Sequence, residues 1–232
     1  MPTLDLEPYL LLLLERESRL AHWMVTDKLK WNVSISDNQF SLLTQEDQPV
    51  ALSTLQLIGT ESYSDKTWLW AWSNLQSSFP PEQLMGIDLV REYARTNEIP
   101  EFATTGPIPL QDPMHSSRLA LASAGYLEGY CLFGCPIEDG RLFIAVMEDL
   151  SLDRPGRTVQ IVMDTLARAI ANFTFDHRRA MLAYLGTPES EDGDTATWTL
   201  SDAKLKVGFN RGDGAYVIRD LKVVKLSQDR RL

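Results

Sequence analysis

Hydrophobic and polar positions follow two periods along this chain, and the two periods separate predicted helices from predicted strands. A period near 3.6 predicts helices over residues 5–28, 80–97, 116–126 and 158–173, the last with a continuation to 185. A period of two predicts strands over residues 31–35, 40–42, 50–58, 67–72, 128–136 and 141–148. The first four strands have short connections, which favours an antiparallel meander packed on the first helix. The predicted fold class is therefore α+β.

Helix-ending and linker-like residues near the C terminus determine the predicted domain organisation. Gly186 and Pro188 end the last helix, and the segment 189–194 is acidic and small, as linkers are. Two further strands, 197–209 and 215–224, are predicted to form a hairpin. A two-stranded hairpin alone is only marginally stable, so it is expected to dock on the rest of the chain. The expected organisation is an α+β domain over 1–187, an acidic linker over 188–196 and a docked C-terminal β-hairpin over 197–232.

The segment Thr67-Trp-Leu-Trp-Ala-Trp-Ser73 is the most unusual of the predicted strands. Alternation places Trp68, Trp70 and Trp72 on one face of the sheet. Three indoles in a row support two interpretations. They can form a core layer beneath the first helix, or they can line a groove that binds a small molecule through their flat faces and N–H donors.

The same segment carries a family resemblance. Gly59-Thr-Glu-Ser62 followed by Thr67-Trp-Leu-Trp-Ala-Trp-Ser-Asn74 resembles the signature of an uncharacterised bacterial domain family, G-T-E-S and then T-W-L-W-A-W-x-N. The resemblance rests on about 16 residues, with looser agreement in the helix that follows. It implies a bacterial domain of this type and implies no particular activity.

Two carboxylates are candidates for chemistry: Glu61 within this signature, and Asp65 between its two parts. Glu61 can serve as an acid or base in a cleft with Asp65 or Asp88, and Glu61 or Asp65 can anchor a polar ligand beside the indoles. The alternative is structural, with Gly59 permitting a bulge and Glu61 lying in a turn. We favour the structural interpretation.

Net charge restricts the choice of partner. The chain carries 32 acidic and 22 basic side chains, a net charge of −10, which repels phosphate backbones and argues against a nucleic-acid partner. The charge instead suggests a protein partner with a basic surface. Basic residues do gather at Arg178 and Arg179, and between Lys222 and Arg231, where we expect a solvated tail.

Other classes of chemistry find no signature in the sequence. His22, His115 and His177 are scattered, so neither a metal nor another cofactor is predicted. Cys131 and Cys135 are expected to be buried reduced thiols, because four residues of extended strand hold them too far apart for a disulfide.

The N-terminal apolar run 10–14 is flanked by charges and is too short to cross a membrane, so the expected location is cytoplasmic. The function predicted from the sequence is a non-enzymatic protein-interaction or binding domain. The alternatives are small-molecule binding on the tryptophan face and a carboxylate-dependent hydrolase, and the oligomeric state is left open.

Overall fold

The computed structural model describes residues 5–75, 77, 79–112, 115–148, 150 and 156–225. These residues form two compact units. The first unit contains residues 5–6 and 16–150, and the second contains 7–15 and 156–225. The first helix, α1 (Glu7–Thr26), therefore contributes residues to both. Each unit is α+β, which confirms the predicted fold class.

The first unit is built on a seven-stranded antiparallel sheet. Its strands in chain order are β1 (Lys30–Ser34), β2 (Gln39–Leu43), β3 (Pro49–Ser62), β4 (Thr67–Trp70), β5 (Ile108–Pro109), β6 (Cys131–Ile137) and β7 (Gly140–Val146). Strands β1 to β4 pair in sequence order, so the predicted meander is confirmed. The fourteen-residue strand β3 holds the sheet together, because it pairs with β2, β4 and β7.

Three helices of the first unit follow β4 in the chain. They are α2 (Pro81–Thr96), α3 (Pro100–Ala103) and α4 (His115–Tyr126). Helix α2 begins at a proline, whose missing N–H has no partner in a first turn anyway, and it buries Ile87, Val90 and Ala94 as its period requires. Helix α3 also begins at a proline, Pro100.

The structure corrects the sequence prediction in both parts of the signature. Residues 59–66 were expected to be a connection, yet Gly59 to Ser62 continue β3 and pair with β4 and β7. Glu61 therefore lies in a strand and not in a turn. The expected bulge is present, since the β3–β7 register shifts between Leu57 and Gly59. Strand β4 ends at Trp70, and Ala71–Ser73 form a 3₁₀ turn, so Trp72 lies outside the strand.

The second unit combines helices with a four-stranded antiparallel sheet. Besides residues 7–15 of α1, its helices are α5 (Val159–Asn172) and α6 (His177–Leu185). Thr158 caps α5 by accepting a hydrogen bond from the Ile161 N–H at 3.3 Å, and Asp176 caps α6 through the Arg179 N–H at 2.8 Å. Helix α6 ends at Gly186 with φ of +77°, as the sequence predicted.

The sheet of the second unit has more strands than the sequence suggested. They are β8 (Ser190–Asp192), β9 (Thr195–Thr199), β10 (Ala203–Arg211) and β11 (Tyr216–Lys225), in the order β11-β10-β9-β8. The acidic segment predicted as a linker thus contains β8 and its turn to β9. The long strand predicted over 197–209 is interrupted at Leu200–Asp202, where the chain turns from β9 into β10. The domain boundaries predicted from the sequence stay a prediction.

The remaining expectations concern the cysteines, the basic tail and membrane-spanning helices. Cys131 and Cys135 are free and buried, as predicted, and burial raises the pKa of each thiol to about 12. Lys222 and Lys225 lie in strand β11, and the rest of the expected basic tail falls outside the described residues. Among those residues, no helix is long and apolar enough to span a bilayer.

Candidate functional site

The tryptophan segment is packed inside the first unit. Trp68 and Trp70 are fully buried and Trp72 is 9% exposed. The rings of Trp68 and Trp70 meet edge to face at 5.1 Å, and those of Trp70 and Trp72 stack at 4.6 Å. Such pairs add to the free energy of burying the rings themselves. The burial favours the core-layer interpretation, and a ligand platform on these indoles stays an untested prediction.

Hydrogen bonds and close packing fix the indoles further. The Trp70 Nε1–H donates to the Glu101 carbonyl at 2.8 Å, and the Trp72 Nε1–H donates to the Thr104 carbonyl at 3.3 Å. Gly59 leaves the space that the Trp68 ring fills, because a Cβ there would lie 2.4 Å from Trp68 Cζ2. Glycine in the signature therefore has a packing reason.

A cleft of about 300 Å³ lies beside this packed segment. Residues of β3, the 3₁₀ turn region and the β6–β7 hairpin line it: Thr60, Glu61, Ser62, Asn74, Ser77, Phe79, Ile137, Asp139 and Leu142. Its volume is at the lower end of the range for ligand pockets, which suits a single side chain or a small molecule. Three apolar side chains and several hydroxyl, amide and carboxylate groups share the lining.

Strand pairing determines which side chains face this cleft. Thr60 pairs with Leu142, while Glu61 pairs with Trp68 on one side and Arg141 on the other. Because side chains alternate along a strand, Thr60 and Ser62 share one face of the sheet with Leu142. The Glu61 side chain belongs to the opposite face, with Trp68.

Asp139 ties the two hairpin turns at the cleft together. Its carboxylate accepts hydrogen bonds from the Ser62 hydroxyl at 3.0 Å, from the Ser64 hydroxyl, and from the Ser64 N–H at 3.3 Å. Its carbonyl accepts from the Tyr63 N–H at 3.1 Å. The close approach extends to the next residue, because a Cβ on Gly140 would lie 1.8 Å from the Glu61 carbonyl oxygen. Only glycine fits there.

The electrostatics of the cleft are negative. The hydrogen bonds from Ser64 and Ser62 lower the pKa of Asp139, so its carboxylate is ionised at neutral pH. Asp139 and Glu61 are the ionisable residues of the lining, and both are acidic. The strand register turns the Glu61 side chain to the other face, so Asp139 supplies the charge that faces the cleft. The arrangement can therefore receive a hydrogen-bond donor or a cation. No group of three or more metal-ligating side chains lies together within the described ranges.

The sequence anticipated this site only in part. Of the residues predicted to bind a ligand, Glu61 lines the cleft, whereas Asp65 is exposed and only its N–H donates to the Ser62 hydroxyl at 3.2 Å. Asn74 stands in the quoted signature, but nothing marked it as a site residue. Asp139 lies between the predicted strands 128–136 and 141–148, and no local signal connects it to a serine 77 residues away.

The sequence model of a family of unknown function, DUF6882, matches residues 6–149. This range contains the whole cleft and the tryptophan segment, and it ends before the sheet of the second unit. No curated protein and no solved structure matches the chain. The match confirms the expectation of an uncharacterised domain family. Because it covers more than half of the sequence, the chain belongs to the DUF6882 family of unknown function.

Proposed function

We propose that the family domain is a non-enzymatic binding module that takes a cationic side chain of a protein partner into the cleft. The observation that carries this proposal is the ionised Asp139 carboxylate in the lining of the cleft. Three apolar side chains, Phe79, Ile137 and Leu142, suit the methylene stem of a lysine or arginine.

The hydrogen bonds of Asp139 support a binding role for its carboxylate. Two serine hydroxyls and one N–H hold the group in a fixed orientation, so little side-chain entropy would be lost when a cation approaches. The pKa of Asp139 is lowered, so the negative charge persists at neutral pH. A guanidinium or ammonium group would gain a charge-assisted hydrogen bond.

The charge of the whole family domain points to the same class of partner. Residues 6–149 carry 20 acidic and 9 basic side chains. Such an imbalance attracts a basic protein surface over several ångströms and accelerates its encounter with the domain. The partner expected from net charge and the ligand expected from the cleft are therefore of one kind.

The two alternatives have less support. Small-molecule binding on the indoles would require Trp68 and Trp70, both at 0% exposure, to open towards solvent. A carboxylate-dependent hydrolase needs two carboxylates that face one substrate. The strand register directs Glu61 to the face opposite Ser62, whose hydroxyl binds Asp139.

An NMR titration tests the proposal directly. The ¹⁵N-labelled protein is titrated with the methylamides of acetyl-arginine and acetyl-lysine, and with those of acetyl-norleucine and acetyl-glutamate as controls. We expect saturable shifts at Thr60, Ser62, Asn74 and Ile137 with the two cationic compounds only. Asp139→Asn should weaken binding about fivefold or more, since it removes the charge.

The matched control is Asp37→Asn. Asp37 is also an exposed carboxylate that accepts a hydrogen bond from a serine hydroxyl, that of Ser34, but it lies in the β1–β2 turn and does not line the cleft. Its substitution should leave binding unchanged. Equal shifts with norleucine and arginine, or equal losses in the two variants, would contradict the proposal.

A further inference from the structure

Strand β11 forms one edge of the sheet in the second unit, and the two halves of this edge differ. The first half is closed by the beginning of α6. The Tyr216 N–H donates to Asp176 Oδ2 at 3.0 Å, and the Ile218 N–H donates to His177 Nδ1 at 3.1 Å. For residues 220–225, the described part of the chain shows no backbone hydrogen bond beyond the pairing with β10. This half has backbone groups available for another strand.

The side chains of the open half are unusual for an exposed edge. Val223 and Val224 are adjacent and are 48% and 44% exposed, so apolar groups are available on both faces of the strand. Proteins usually protect sheet edges with charges or by covering them, because an exposed apolar edge recruits other strands. Lys222 and Lys225 provide such charges. They discourage a second copy, which would bring the same lysines.

Lysines on the solvent-facing side of the sheet indicate which charge a strand added to this edge would carry. Lys206 and Lys222 stand directly opposite each other in the β10–β11 ladder, and both are exposed. Like charges at opposite positions destabilise a sheet unless an anion lies between them. Lys204 on the same face differs, because Glu189 approaches its ammonium at 2.6 Å.

We propose that the open half of β11, residues 220–225, binds an extended acidic segment of a partner protein by strand addition. The main chain of the segment pairs with β11, and its acidic side chains on the solvent-facing side approach Lys222 and Lys206. Its alternate, apolar side chains lie on the other side, next to Leu221 and Val223. The recognised pattern is therefore acidic and apolar residues in alternation. This site is separate from the cleft and lies outside the family match.

The face favours a peptide over a nucleic acid. Single strands of nucleic acid bind sheets through aromatic side chains on which bases stack. In this sheet Trp198 and Phe209 are buried, at 2% and 0% exposure. The exposed face presents lysines and threonines, together with the acidic side chains of Asp192 and Asp220. The net charge of −10 also repels a long polyanion, while a short acidic segment meets mainly the local lysines.

Fluorescence anisotropy with the full chain and a labelled heptapeptide, Ac-TEVEVET-NH2, tests the proposal. We expect saturable binding that weakens with salt, and no binding of Ac-TKVKVKT-NH2. Lys222→Gln should weaken binding about fivefold, which corresponds to one partly exposed ion pair. Lys204→Gln is the matched control on the same face, and it should change affinity less than about twofold because Glu189 already neutralises Lys204.

Amide hydrogen exchange shows how the peptide binds. The acidic peptide should slow exchange within 220–225 and leave Tyr216 and Ile218 unchanged, since their N–H groups are already bonded. Binding without slower exchange in 220–225 would overturn strand addition. Equal effects of the two lysine variants, tighter binding of an oligothymidine, or dimers that protect 220–225 in the absence of peptide would overturn it as well.

Discussion

The two parts of this chain differ in charge far more than its net charge suggests. The family-matched residues 6–149 carry 20 acidic and 9 basic side chains, whereas the remainder carries 12 and 13. The acidity of the protein therefore belongs to the family domain. On the sheet of the second unit, Lys206 and Lys222 oppose each other, and no ion pair joins either of them to another described residue. A chain-wide charge can therefore conceal a strongly acidic part and a nearly neutral one.

The largest expected effect on stability concerns two glycines, Gly140 at the start of β7 and Gly214 between β10 and β11. In the family domain, a Cβ on Gly140 (φ +152°) would lie 1.8 Å from the Glu61 carbonyl oxygen, which belongs to the backbone of the paired strand β3. Gly214 in the second unit has φ of +84° with no atom within 4 Å. Gly140→Ala should lower the free energy of unfolding by about 3 kcal/mol or more, and Gly214→Ala by about 1 kcal/mol.

Urea denaturation of both variants gives the comparison. The control is Gly106→Ala, since a Cβ at Gly106 meets no atom within 4 Å and its φ is not in the positive range. That variant should unfold at the same urea concentration as the parent. If Gly140→Ala costs no more than Gly214→Ala, the close contact between β7 and β3 at the cleft is wrong.

The next comparison concerns a buried tryptophan in each part, and the two are held in the same manner. Trp70 donates to the Glu101 carbonyl at 2.8 Å, and Trp198 of the second unit donates to the Gly186 carbonyl at 2.9 Å. Replacing either by phenylalanine leaves a carbonyl without its donor and a small void. Each substitution should cost about 2 kcal/mol of unfolding free energy.

Trp68 is the control for this effect. Its Nε1 is buried and has no hydrogen-bond partner among the described residues. Trp68→Phe should therefore cost about 1 kcal/mol less than Trp70→Phe, because no acceptor loses its donor. Thermal unfolding followed by circular dichroism compares the variants without relying on tryptophan emission. Equal costs at the two positions would show that ring volume alone matters here.

How far the sequence predicts this molecule depends on whether a feature is local. Periodicity located α2 and α5 to within about two residues, because an amphipathic stripe is a property of the segment itself. Gly59 to Ser62 were expected to connect strands, since a glycine and polar residues are typical of turns. They form strand because β4 and β7 flank them on both sides, and that pairing is not encoded nearby.

The candidate site shows the same limit. Glu61 was singled out because it is a carboxylate in a conspicuous motif, and it does line the cleft. Asp139 joins it only through the β3–β7 pairing, so no spacing in the sequence could reveal their proximity. The acidic segment predicted as a linker contains β8, again because of strand pairing that the sequence does not show locally. Its partner, β9, pairs Glu191 with Ala196, and composition alone does not report pairing.

A smaller effect concerns the pH dependence of stability in the second unit. His177 Nδ1 accepts the Ile218 N–H at 3.1 Å, so this nitrogen must be unprotonated. Burial lowers the pKa of His177 below its ordinary 6.5, and the nearby Asp176 carboxylate opposes this shift. The unfolded chain then binds the proton more readily than the folded one. This contribution to stability is complete above about pH 6.5 and is lost as the pH falls through the lower folded-state pKa.

Thermal unfolding between pH 7.5 and pH 5 measures this loss. His177→Asn is the control, since an amide oxygen can accept the same hydrogen bond and does not titrate in this range. Carboxylates that titrate in both proteins cancel in the difference. We expect the parent to lose more stability than the variant as the pH falls. If the unfolding temperatures of the two proteins fall in parallel, protonation of His177 does not destabilise this edge.

The smallest expected effect tests the lysine pair that distinguishes the second unit from the acidic family domain. Lys206 and Lys222 oppose each other across the β10–β11 ladder. Lys206→Glu or Lys222→Glu alone turns repulsion into attraction and should raise the free energy of unfolding by about 0.5 kcal/mol. The double variant restores a like-charged pair and should gain nothing. This double-mutant cycle, measured by urea denaturation at low salt, isolates the pair from other effects of each substitution. Additive gains would mean that each lysine is repelled by the surface as a whole, and the case for an anion between them would lose its energetic basis.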